Sequence, residues 1–107
     1  MDEVRCVAAT GALGAGVDRD ALEQAMARAP QFIAADAGTT DAGPFSLGGG
    51  QPAFAREAVK HDLALILQAG RRAGIPVLIG SAGTAGGDTH VDWTLDIARE
   101  VAAEQSL

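Results

Sequence analysis

Of the 107 residues only one is cysteine and one is tryptophan, tyrosine is missing, and aromatic residues make up 4% of the chain. A lone Cys6 excludes an internal disulfide and a paired-cysteine metal site, and its place inside an apolar run predicts a buried thiol. With so few rings, the core has to be assembled from Ala, Val, Leu and Ile, which bury less area per side chain. Positive charge is scarce as well: 8 Lys and Arg stand against 14 Asp and Glu, a formal charge of −6. Nucleic acid and anionic membrane surfaces both require a basic footprint, so neither is expected as a partner. No stretch approaches the roughly 18 apolar residues that span a bilayer. The start Met1-Asp2-Glu3 lacks the basic opening of a secretory signal, which predicts a cytoplasmic protein. Three common catalytic signatures, the GxSxG elbow, the GxxxxGK phosphate loop and HExxH, are missing too.

What is present is an ordinary globular composition, 48% hydrophobic and 21% charged, in a length that suits one small domain over residues 1–107. Val4 to Ala9 reads as a short buried strand, interrupted only by Arg5. Asp18 or Asp20 can cap the helix that follows, Asp20 with Glu23 forming a capping-box pattern, and Pro30 ends it. Gln31 to Ala35 is a second strand. A helix begins near Phe54, with Ala58, Val59, Leu63, Ile66 and Leu67 at helical spacing until Gly70 and Gly74 break it. Ile75 to Ile79 is a third strand. A last helix carries Val91, Leu95, Ala98, Val101 and Ala102 on one face, capped by Asp88 or Thr89.

This alternation predicts an α/β fold: a three-layer βαβαβα unit with a short parallel sheet and right-handed crossovers, half of a doubly wound, Rossmann-like domain. Half a domain implies either a fragment of a longer chain or a core completed by a partner or a second copy. Three loops rich in Gly, Ser, Thr and Asp, at Thr10 to Val17, Asp36 to Pro52 and Ser81 to Asp88, follow strands and precede helices. They are expected at the carboxyl edge of the sheet, where open α/β sheets bind ligands, and to form one site.

The first loop, through Gly11, Gly14 and Gly16, runs GxxGxG rather than the GxGxxG of dinucleotide sites, so a tight turn or an anion cradle competes with nucleotide binding. In the second, Asp36 and Asp41 flank Gly38, Thr39 and Thr40. Turn chemistry alone accounts for such residues; equally, two carboxylates there could ligate a hard cation, transfer protons or accept substrate hydroxyls. Arg56 and Lys60, four apart on one helix face, could clamp a substrate anion or form a solvated face with Glu57 and His61. The third loop holds Ser81 and Gly83 and ends in Asp88 and His90. These last two read either as a cap and an exposed first-turn histidine or as a catalytic pair, His90 serving as acid, base or metal ligand. Trp93 reads as a packing or interface residue and His61 as surface.

The residues Ile33-Ala34-Ala35-Asp36-Ala37-Gly38-Thr39-Thr40-Asp41-Ala42-Gly43-Pro44, then Leu47-Gly48, Arg56-Glu57-Ala58-Val59-Lys60, Ile79-Gly80-Ser81-Ala82-Gly83 and Gly87-Asp88, resemble the start of the acyclic terpene utilisation (AtuA-like) family. The similarity covers nearly the whole chain, and the block from Asp36 to Pro44 is its most specific part. It implies a cytoplasmic, bacterial-type protein of branched-terpenoid catabolism and, since relatives are longer, the N-terminal portion of a larger protein. Thr40 and Phe45 stand where the family pattern more often has Ser and Tyr, which removes a phenolic hydroxyl.

The leading expectation is the site-bearing part of a catabolic enzyme acting on a small carboxylate or acyl-thioester, by lyase or hydratase chemistry. Asp36, Asp41, Asp88 and His90 would be catalytic. Gly11, Gly14, Gly38, Thr39, Thr40, Arg56, Ser81 and Gly83 would bind substrate. Metal and cofactor are left open by the residues. The competing expectations are a non-catalytic binding or assembly module, as a homo-oligomer or with the remainder of a longer chain, and a nucleotide-binding half-domain.

Overall fold

The computed structural model describes residues 2–41 and 44–107. The order is β1 (Cys6–Ala8), α1 (Arg19–Met26), β2 (Phe32–Gly38), α2 (Phe45–Gly49), α3 (Arg56–Ala73), β3 (Val77–Thr84) and α4 (Asp88–Gln105). The expected α/β class, parallel sheet and βαβαβα order are present, with α2 as an addition inside the second loop. Ala42 and Gly43 of the Asp36 to Pro44 block, and Met1, lie outside the described residues.

Local chemistry sets the ends of these elements. The Asp18 carboxylate accepts the N–H of Ala21 at 2.9 Å, so the first helix starts from Asp18 and not from Asp20. Gly74 takes a left-handed conformation (φ 66°) and closes α3 as a C-cap. Gly70 does not break that helix. It is buried within it because a Cβ there would overlap Val77 Cγ2, so the missing side chain lets α3 approach β3. Gly87 rather than Asp88 or Thr89 is the N-cap of α4, and Asp88 opens its first turn.

The strands lie in the order β1-β2-β3, all parallel. With right-handed crossovers and no reversal of strand order, both connections must pass over the same face of the sheet. Contacts agree: α3 packs between α1 and α4, and also against β2 and β3. Val7, Ile33, Ala35 and Ala37 face this helical layer, meeting Val59, Leu63, Ile66 and Ile97 in one core. Each full burial of an Ile or Leu there contributes about 1.5–3 kcal/mol. Of the three layers expected, the described residues build these two. The opposite sheet face is bare: Cys6, Ala8, Asp36 and Gly80 are exposed, and Leu78 is 56% exposed. Strand alternation puts Cys6 on that face, so its thiol is exposed and not buried as its apolar setting predicts. No helix among the described residues is long and apolar enough to cross a membrane.

Candidate functional site

The second and third loops meet at the carboxyl ends of β2 and β3. Asp36 pairs with Gly80 but Gly38 pairs with Thr84, so a bulge places three residues of β3 against one of β2. Through this bulge the backbone takes unfavourable dihedrals. Ser81 (φ 51°) and Thr84 (φ 84°) are left-handed without being glycine, and Gly83 and Gly86 (both φ 70°) are left-handed beside them. A β-branched residue in that region is a true outlier, and such positions cost about 1–3 kcal/mol each. Thr84 is held there: it is buried, its Oγ1 accepts the N–H of Ala53 at 2.8 Å, and its carbonyl accepts the N–H of Thr39 at 3.1 Å. Gly38 is required by close approach, since a Cβ would stand 2.5 Å from that of Ser81.

Asp36 folds back so that Oδ1 accepts the Gly38 N–H at 2.8 Å, and Thr39 Oγ1 accepts the N–H of Asp41 at 3.2 Å. Together Asp36, Gly38, Thr39, Thr40, Asp41 and Ser81 line a cleft of about 440 Å³, which Pro44 and Leu47 of the α2 region help to wall. Two carboxylates and four hydroxyl-bearing residues, Thr39, Thr40, Ser81 and Thr84, therefore share one concavity, and no Lys or Arg is among its described lining residues. Such a surface accepts hydrogen bonds from hydroxyl or ammonium groups and repels an anion. Among the described residues no group of three or more His, Cys, Asp or Glu is placed to hold a metal ion.

The remaining expected site residues lie elsewhere. The first loop touches the end of β2 through the Leu13 N–H to the Asp36 carbonyl, at 3.2 Å, but Gly11 and Gly14 are outside the cleft. The anion in this loop's cradle is internal. Asp62, 1% exposed on α3, accepts the N–H groups of Gly14 (2.8 Å), Gly16 (3.0 Å) and Val17 (3.1 Å). Gly14 (φ 106°) and Gly16 (φ 119°) supply the backbone curvature, and a Cβ on Gly14 would press on Phe54 at 2.7 Å. These donors, already spent, are the ones a nucleotide phosphate would need. The signal for Asp62 was a lone acid among Val59, Leu63 and Ile66 on the apolar face of α3.

Arg56 turns toward α4, bonding Glu100 at 2.5 Å and Asp96 at 3.0 Å, and Lys60 bonds Glu104 at 3.0 Å. The Glu100 and Asp96 carboxylates raise the Arg56 pKa, and Glu104 with Glu100 raises that of Lys60. The Arg56 hydrogen bond in turn holds Glu100 below the usual carboxylate range. The pair is thus an interhelical ladder away from the cleft.

Asp88 is exposed at the start of α4 and does not line the cleft. Gly83 is buried against the His90 backbone, where a Cβ would meet the carbonyl oxygen at 2.6 Å. His90 is not the exposed first-turn residue that capping alone predicts. It is 2% exposed, with Nε2 at 2.9 Å from the Ser46 carbonyl of α2. The α2 segment, hidden in a loop of turn-forming composition, was the part of this region without a periodic signal. No known protein family, no curated protein and no solved structure matches this chain.

Proposed function

We propose that the cleft at the carboxyl edge of β2 and β3 binds a small hydroxyl-bearing metabolite, in the site-bearing part of an AtuA-like catabolic enzyme. The observation carrying this reading is the convergence of Asp36, Asp41, Thr39, Thr40 and Ser81 on one concavity across a strained bulge. Strain at the wall of a polar cleft is the mark of a site whose geometry is maintained at a cost to stability. Hydratase or lyase chemistry fits the carboxylates: in hydration one takes a proton from the attacking water and returns it to the neighbouring carbon, and in dehydration it takes that carbon's proton and delivers it to the leaving hydroxyl, which departs as water. The absence of cations from the described lining adds a refinement. The carboxylate or thioester end of the substrate lies outside the cleft, and its hydroxylated end lies within.

The test is a titration of the labelled chain with branched acyclic hydroxy acids and their thioesters, followed through backbone amides. Shifts at Thr39 to Asp41 and at Ser81, lost in Asp36→Asn/Asp41→Asn with unchanged melting, are expected. Binding that ignores the double substitution, or no shift at these amides with any member, overturns the reading.

A second reading, an assembly module, is favoured by the bare sheet face around Leu78. Sedimentation separates the two: self-association that Leu78→Lys abolishes supports assembly through this face.

A further inference from the structure

The buried imidazole of His90 has a second nitrogen, and no polar group among the described residues satisfies it. A carbonyl oxygen only accepts, so the contact to Ser46 makes Nε2 the donor of the ring, the tautomer whose lone pair lies on Nδ1. Nδ1 is therefore a bare lone pair, buried and without a hydrogen-bond partner among the described residues. An unmet buried acceptor is destabilising, so its retention calls for a physical account.

What Nδ1 faces supplies one. A Cβ built on Gly87 would lie 3.2 Å from His90 Nδ1 and 3.2 Å from Leu47 Cδ1. The ring edge thus looks into the space at the N-cap of α4, where glycine provides no capping side chain. The first N–H groups of a helix have no partner inside it, so this space joins donors on the helix to an acceptor on the ring. An anion would satisfy the donors but be repelled by the lone pair. A hydroxyl satisfies both, its oxygen taking an N–H and its own proton going to Nδ1. Leu47, which also walls the polar cleft and is 59% exposed, lies against this space beside His90.

We propose that His90 Nδ1 and the first turn of α4 form a hydroxyl-binding subsite of the cleft, covered by Leu47. This rests on the reading of the cleft as a ligand site and assigns which ligand group enters deepest. The subsite selects for a donor-bearing oxygen, so an alcohol is accepted and the ether of the same shape is refused.

The experiment uses the full chain with ¹⁵N-labelled histidine and backbone, titrated with ethylene glycol and separately with 1,2-dimethoxyethane, which has the same oxygens but no hydroxyl proton. The expected result is an upfield movement of the His90 Nδ1 resonance with the glycol alone. Gly87→Ala, whose φ of −71° admits alanine, puts a methyl against Nδ1 and should remove this response while leaving those of the Thr39 and Ser81 amides. Leu47→Ala, which opens the cover, should enlarge it; this variant decides the matter if Gly87→Ala does not fold. Equal effects of glycol and ether, a proton on Nδ1 in the free protein, or a silent Nδ1 beside responding cleft amides each overturn the subsite and leave the cleft reading standing. Silence at both Nδ1 and the cleft amides overturns both.

Discussion

Asp62 Oδ2 accepts the N–H of Gly14 at 2.8 Å, tying the middle of α3 to a loop 48 positions upstream. This bond, with those to Gly16 and Val17, makes a glycine-rich loop into the receptor for the protein's own carboxylate. Asp62→Ala removes an acceptor shared by three backbone donors, and hydrogen bonds to a charged group contribute about 1.5–3 kcal/mol each before relaxation. A loss of about 2–4 kcal/mol in chemical denaturation is expected, with Asp62→Asn intermediate because one oxygen is kept. Hydrogen exchange should quicken first at Gly14, Gly16 and Val17; slow exchange there in Asp62→Ala would refute this account.

Gly70 and Val77 make a second such dependence. Gly70→Ala would force the new methyl into Val77 Cγ2, and overpacking of this kind costs about 1–3 kcal/mol. Adding Val77→Ala should recover part of the loss in a double-mutant cycle. By contrast Gly48→Ala, with open space around its Cβ position, should leave the melting temperature almost unchanged.

The α3–α4 ladder predicts a pH and salt signature. Glu100 is held below its ordinary range by the Arg56 hydrogen bond. Its contribution is therefore complete above the ordinary glutamate pKa of about 4.3 and is lost as pH falls through the lower folded value. Lys60, raised by the Glu104 hydrogen bond, behaves in reverse: its contribution is complete below about pH 10.4 and is lost above its folded pKa. Melting curves of the wild type and Glu100→Gln should differ by a constant amount from about pH 5 to 9 and converge below about pH 4. Molar salt should shrink the gap at neutral pH, because these partners are solvent-accessible.

The one-sided sheet predicts an asymmetric response along β2 and β3. Ile33→Ala, on the covered face, should cost about 2–5 kcal/mol. Leu78→Ser, on the bare face, should change stability of the isolated chain by no more than about 0.5 kcal/mol. A large effect of Leu78→Ser that grows with protein concentration would show that another copy covers this face.

How much of this was readable beforehand depends on which interactions are local. The helical spacing of Val59, Leu63 and Ile66, and the apolar runs before each glycine loop, announced a parallel α/β unit because periodicity and crossover geometry are properties of the chain alone. Clustering of the Asp36 and Ser81 loops also followed from strand polarity. Long-range pairings did not: Arg56 and Lys60 looked free for a ligand because Asp96, Glu100 and Glu104 lie a full β-strand and crossover away. Asp62 stood out as a lone acid on the apolar face of α3, but its partners Gly14, Gly16 and Val17 lie 45–48 positions upstream. The exposure of Cys6 and burial of His90 were set by which sheet face the helices cover and by α2, neither of which periodicity encodes.

The bulge between Asp36 and Gly38 has one more consequence. The pairs from Ile33 with Val77 to Asp36 with Gly80 are clamped upstream of it, and Gly38 with Thr84 downstream. Slack in chain length is thereby confined to Ser81, Ala82 and Gly83. A change of length among these three would be felt at the Ser81 edge of the cleft and at the Gly83 contact with His90, while the pairs upstream keep their register.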